Sequence, residues 1–241
     1  MHRYIVKLAC VGILSTFILP IYAQNSPSTD TLSYAFARSL FTKANAAQSR
    51  LNNGREYVPT NPRTEGNPFF ETNVWTEGNI IYDGAEFKNV RFLYDVEKDE
   101  VVVLNFLLPN KLSLVKQKVE SFRIHQHQFI YLRTDSLNKK SSGGFYDVLY
   151  DKKLAVLAKR IKDIKEINNT TRDASFIQAD QYYFMKDATL HPVKTLGSIV
   201  KLLKTTKAEI KQHLRKNEII FREDPEKAMV SIASYHDQLS K

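Results

Sequence analysis

Asn79-Ile80-Ile81-Tyr82-Asp83-Gly84-Ala85-Glu86-Phe87-Lys88-Asn89-Val90-Arg91-Phe92-Leu93-Tyr94-Asp95 is the stretch that decides the fold class. Asp83-Gly84 is a two-residue hairpin signal. The turns that match strand twist need positive φ, which Gly and Asp tolerate. Ile80 to Tyr82 lead into the turn. Beyond it Val90, Phe92 and Tyr94 alternate with Arg91, Leu93 and Asp95, the period of a strand.

The same rhythm continues toward the C-terminus. Val96 to Glu100 reads as a charged turn, and Asp95 with Glu97 as turn residues rather than an acid–base pair. Val101 to Leu104 and Phe106 to Leu108 form a nearly continuous apolar run, as in a strand covered on both faces, closed by Pro109-Asn110. Further strands are expected at Leu112 to Val119, Glu120 to Ile124, Gln128 to Arg133 and Phe145 to Tyr150. A last pair is expected within Ser175 to Met185 and Leu190 to Val193. Turns this closely spaced favour an antiparallel meander over residues 72–193. Residues 153–165 fit two patterns. Leu154, Leu157, Ala158, Ile161 and Ile164 suit a helix, whereas Leu154, Val156 and Ala158 suit a strand, which the turn at Asp151-Lys152 favours at the start.

Helices are expected on either side. Ser28, Thr29 or Asp30 can cap a helix reaching about Leu51, followed by a polar linker, so that residues 24–71 precede the sheet. Within residues 194–241, Thr195 can cap one helix. Thr206-Lys207-Ala208-Glu209 is a capping box for a second, and Asp224-Pro225-Glu226 combines a cap, a first-turn proline and an acid for a third. The fold class is therefore α+β: an antiparallel β-meander with an N-terminal helix and a C-terminal helical cluster. Phe92, Val101, Val103, Phe106, Tyr131, Leu203, Ile210 and Ile232 are the expected core.

The chain has 241 residues, 43% hydrophobic and 25% charged, which excludes collagen-like and wholly disordered classes. Residues 1–23 read as an export signal: Arg3 and Lys7, an apolar run from Leu8 to Leu19, then Pro20 and a small residue at Ala23. The run is shorter than the ~20 residues that cross a bilayer, and no later stretch is long and apolar enough, so no transmembrane segment is expected in the mature chain. Cys10 is the single cysteine, and it lies inside the apolar run, not after it, which argues against lipidation. Cleavage would leave no thiol for a disulfide or a metal site. The net charge is +9, with Arg3 and Lys7 in the leader, which favours anionic partners; export argues against nucleic acid as a partner class, and none is expected.

Trp75-x-x-Gly78-x-Ile80, Asp83-Gly84-x-x-Phe87-x-Asn89-Val90, Tyr94-Asp95, Val101-Val102-Val103 and Tyr182-Tyr183-x-x-Lys186-Asp187 resemble a group of exported Bacteroidota proteins. So does the Lys-rich tail closing at Tyr235 to Leu239. The resemblance runs from about Asn67 to the C-terminus and implies a Gram-negative envelope setting. It brings no activity, cofactor or catalytic residue to this chain.

Four constellations carry candidate chemistry. His125 and His127 are two apart, so on one strand both imidazoles can face a zinc ion, yet no carboxylate stands near them in sequence and the chain turns there. They read first as solvated hairpin histidines, with no cofactor implied. A serine hydrolase lacks its Gly-x-Ser-x-Gly elbow, although a dispersed triad leaves no sequence trace. His213 reads as solvated and His236 as packed. Lys201, Lys204, Lys207, Lys211 and Arg215 belong to seven basic residues between Lys194 and Lys216, against one acid, Glu209. They are candidate contacts to an anionic surface, or simply the solvated side of packed helices. Phe69, Phe70, Trp75, Tyr82 and Tyr94 can line an apolar cleft or fill a core. The expectation is an exported, periplasmic or secreted, non-enzymatic protein that binds a protein partner or an anionic or apolar envelope component. A metal-dependent or serine hydrolase is the alternative.

Overall fold

The computed structural model describes residues 33–37, 49–60, 64–105, 110–133, 143–168 and 173–239. The chain divides into two units, Met1–Lys43 and Ala44–Lys241. In the first, residues 33–37 are helical. The rest of the helix expected up to Leu51 lies outside the described residues, except for a 3-10 turn at Arg50–Asn53 that buries Leu51.

The second unit is mostly antiparallel sheet with a few helices, an α+β chain. Its strands are β1 (Arg55–Glu56), β2 (Thr64–Glu65), β3 (Thr76–Tyr82), β4 (Ala85–Asp95), β5 (Glu100–Leu104), β6 (Lys111–Ser113) and β7 (Val119–Ile124). There follow β8 (His127–Leu132), β9 (Gly144–Tyr150), β10 (Ala155–Lys159), β11 (Lys162–Asn168), β12 (Asp173–Gln178), β13 (Gln181–Lys186) and β14 (Thr189–Val193). Three helices close it: α1 (Leu196–Leu203), α2 (Lys207–Lys216) and α3 (Pro225–Leu239). Eleven strands form one sheet in the order β1-β6-β5-β4-β3-β7-β8-β9-β10-β13-β14, and β11-β12-β2 form a second.

Asp83 and Gly84 both take positive φ, 52° and 76°, as the hairpin signal requires. The sheet then curls. β4 and β9 stand four strand steps apart, about 19 Å if the sheet were flat. The rings of Tyr94 and Phe145 nevertheless meet at 5.8 Å, and Tyr94 lies 4.9 Å from Phe129. The rolled inner face holds Phe92, Tyr94, Phe122, Phe129 and Phe145, all fully buried. Asp99, in the β4–β5 turn, ties the roll: it accepts from Tyr94 Oη (2.7 Å), Lys159 Nζ (2.6 Å) and the Phe145 amide (3.3 Å), and pairs with Lys116 (2.5 Å). A second core forms where the helices cover β9, β10, β13 and β14, around Val156, Phe184, Ile199, Ile210 and Ile232.

Several expectations are revised. Leu112 to Val119 is not one strand: β6 ends at Ser113, and Lys116–Lys118 form a 3-10 turn that swings the chain from beside β5 to beside β3. Ser175 to Met185 is two strands in two sheets. Asp180 breaks it by turning its carboxylate onto the Ile161 amide and Arg160. Residues 155–159 are strand, but Ile164 belongs to a second strand and is exposed, so its helical spacing marks no buried stripe. Among the core residues, Phe92, Val101, Val103, Leu203, Ile210 and Ile232 are buried and Tyr131 is partly so; Phe106 lies outside the described residues.

Candidate functional site

Two regions of the second unit gather functional groups: a charged seam inside the fold and a basic face outside it.

The seam lies on one face of the sheet between the aromatic core and the helix-covered core. Strand pairing sets it. Phe129 opposes Asp147, Asp147 opposes Ala158, and Ala158 opposes Tyr182, so these residues share a face. Arg160 leaves the end of β10 and reaches three carboxylates: Asp147 (2.5 Å), Asp180 (2.8 Å) and Glu226 (2.5 Å). The guanidinium also rests over Phe70, 5.8 Å from its centroid. Tyr182 Oη donates to Glu226 (2.9 Å), tying β13 to the start of α3. Burial opposes charge on Arg160, but its carboxylate partners outweigh it and hold the guanidinium firmly protonated.

His127 continues the seam. Its Nδ1 meets Asp147 Oδ2 at 2.8 Å and its Nε2 lies 3.5 Å from Glu71. The hydrogen bond to Asp147 raises its pKa, against burial and the nearby Arg160 charge. His125 occupies the turn at φ 52° and sets Nδ1 2.8 Å from the other oxygen of Glu71. The two histidines therefore do have carboxylates beside them, which corrects the sequence expectation: Glu71 and Asp147 arrive through the fold. His127 has a carboxylate at each ring nitrogen. Among the described residues, no group of three or more His, Cys, Asp or Glu is arranged to hold a metal ion.

A second charged knot surrounds Asp99. Burial alone would raise its carboxyl, yet Lys159 and Lys116 hold it below the ordinary range. Burial pushes the Lys159 ammonium down in return. Gly144 is required here: a Cβ on it would collide with the Asp99 carboxylate and the Lys159 ammonium. Asp95 is also buried, accepting from Tyr57 Oη (2.8 Å) and the amides of Glu97 and Lys98. It is a turn residue, as expected, and a long-range anchor as well.

The basic face is built by capping. Thr195 and Ser198 form a capping box at α1, and Thr206 and Glu209 another at α2. Ile210 and Leu214 are buried against the helix core. Lys207, Lys211 and Arg215 lie at four-residue spacing on one flank of α2, all exposed, with Lys201 and Lys204 exposed on and just after α1. Among the described residues these five cations form no ion pair. Glu209, the one acid in this stretch, is committed to Thr205 Oγ1 and the Thr206 amide.

The remaining candidates resolve into structure. Phe70, Tyr82 and Tyr94 are in the aromatic core, whereas Phe69 and Trp75 belong to a separate cluster on Leu93 and Val102, so the five line no common cleft. His213 is not solvated: it meets Ser231 Oγ at 2.9 Å and stacks on Tyr235 at 4.3 Å, joining α2 to α3. Asp224 caps α3 through the Lys227 amide, as its sequence context suggests. A cleft of about 560 Å³ opens beside the seam, walled by Pro192, Val193, Phe221 and Met229. Tyr182 and Tyr183 also line it, and both donate their hydroxyls to neighbouring side chains.

Sequence reading missed Arg160, Asp147 and Asp99. The available signal was chemical mismatch: Asp147 interrupts the otherwise aromatic and apolar strand Phe145 to Tyr150, and Lys159-Arg160 ends an apolar one. A charge placed at a core position needs a partner. No family model matches the sequence, and no curated protein or solved structure is found similar to it.

Proposed function

We propose that this chain is an exported envelope protein without catalysis of its own, which docks on an anionic phosphate-bearing surface through the basic face of α1 and α2. The supporting observation is that, among the described residues, Lys201, Lys204, Lys207, Lys211 and Arg215 form no ion pair, in a unit whose buried carboxylates are paired or hydrogen-bonded. Part of the stripe is locally unfavourable: Lys207, Lys211 and Arg215 stand four apart and repel along the helix, and Lys207 sits at the N-terminal end of α2, where the dipole disfavours a cation, whereas Lys201, Lys204 and Arg215 lie at helix C-terminal ends, where it favours one. The leader and the basic charge support an envelope location.

The hydrolase reading has one observation in its favour, the His127–Asp147 contact at 2.8 Å, which resembles an oriented base. Glu71 rather than a hydroxyl stands at the other nitrogen, 3.5 Å away, which supports a positioning role for His127 instead.

Each basic residue near an anionic membrane contributes up to about 1 kcal/mol. Replacing Lys204, Lys207, Lys211 and Arg215 together with Gln is expected to weaken co-sedimentation with phosphatidylglycerol vesicles by up to ~1000-fold. Phosphatidylcholine vesicles should bind neither protein. Equal binding by both proteins overturns the proposal, as does no binding by the unaltered chain at low salt.

A further inference from the structure

The small sheet β11-β12-β2 ends in an open strand. β11 pairs with β12 on one side, and among the described residues no strand pairs with its other edge. Exposed edges are templates for further pairing, and this one carries an exposed Ile164 (41%), with Ile177 (42%) exposed on the neighbouring strand. We infer that β11 joins a second copy of this chain edge to edge, antiparallel, with the two-fold axis at Ile164.

Backbone geometry narrows the register first. The Ile161 carbonyl accepts from the Ala179 amide. Residues two apart turn their backbone groups the same way, so Ile161, Asp163 and Lys165 face β12, while Lys162, Ile164 and Glu166 face the open edge. A two-fold antiparallel ladder must match outward residues with outward residues. That requires the axis to pass through a residue rather than between two.

Charge then selects among those centres. An axis at Lys162, Asp163, Lys165 or Glu166 sets that side chain against its own copy, like charge on like. Centring on Ile164 sets apolar against apolar. It also brings Lys162 opposite Glu166 and Asp163 opposite Lys165, each pairing occurring twice by symmetry. Of the centres from Lys162 to Glu166, Ile164 alone makes the strand self-complementary. Lys162 Nζ already donates to the carbonyls of Phe69 (2.5 Å) and Asn67 (3.0 Å). An ammonium has a third donor, which remains for Glu166 of the partner subunit.

An interface made by one strand is small, so the dimer belongs to the weak, reversible class. Sedimentation equilibrium of the full chain across a wide concentration range tests it. The unaltered chain is expected to dimerise reversibly. Asp163→Lys alone and Lys165→Asp alone each set like charges face to face at two symmetric positions, and should weaken self-association about tenfold. Mixing the two variants in equal amounts restores opposite charges at both positions, so a heterodimer should recover the original affinity. Restoration cannot come from misfolding or from adhesive apolar segments elsewhere. A monomer throughout the range, variants that associate as tightly as the unaltered chain, or a mixture that stays as weak as its components would each overturn the inference.

Discussion

Arg160→Met tests whether the charged seam holds the sheet to the helices. The substitution removes five hydrogen bonds: two to Asp147, one to Asp180 and two to Glu226. The side chains differ in how readily water can replace the guanidinium. Glu226 is about one-third exposed and can turn outward, so its loss is small. The Asp147 side chain is 1% exposed and, among the described residues, stays behind with only His127 as a counter-charge. Breaking a buried ion pair by removing one partner costs about 3–5 kcal/mol, most of it the stranded charge. For a chain of this size that is a fall of ~6–20 °C in Tm. Urea unfolding followed by circular dichroism measures the loss. Adding Asp147→Asn to Arg160→Met removes the stranded charge and should recover at least ~1 kcal/mol, a coupling read from the double-mutant cycle. A single variant within about 1 kcal/mol of the unaltered chain, the range of a surface ion pair, would refute the reasoning.

Two further outcomes follow from the same contacts. The folded His127 holds its proton more tightly than an unfolded histidine; its stabilisation is therefore complete below the unfolded value of about 6.5 and disappears as pH rises through the higher folded value. Urea midpoints across that window should fall for the unaltered chain and stay flatter in His127→Gln, whereas parallel curves would contradict this. Gly144→Ala drives a methyl into Asp99 and Lys159 at a backbone φ of 145°; it should cost at least ~1–3 kcal/mol from strain alone, measured by the same unfolding assay, and a neutral result would show that the knot at Asp99 yields freely.

Local chemistry made the hairpins and helix starts legible. Asp83-Gly84, the strand through Tyr94 and the Thr206–Glu209 box each act within a few residues, and each is realised, although the strand is buried on both faces from Phe92 to Asp95. Curling of the sheet left no such mark, because it depends on aromatic rings from β4, β7, β8 and β9 filling one volume. The seam was hidden for the same reason. Arg160 finds its acids 13, 20 and 66 residues away, so no spacing rule connects them. The break at Asp180 does have a local mark, since Gln178, Asp180 and Gln181 interrupt the apolar residues there, but the carboxylate's hold on the Ile161 amide belongs to the fold. The basic stripe was readable as a pattern, but the commitment of Glu209 to its cap became visible only in three dimensions.

The most direct test of the docking surface is the partition of the purified chain onto phosphatidylglycerol vesicles at two salt concentrations. At about 0.01 M salt charges act over ~30 Å, and at about 1 M over only ~3 Å. Tight association at the lower concentration and release at the higher is the expected result. Association that persists unchanged at high salt would place the contact on apolar surface and contradict the role given to Lys201, Lys204, Lys207, Lys211 and Arg215.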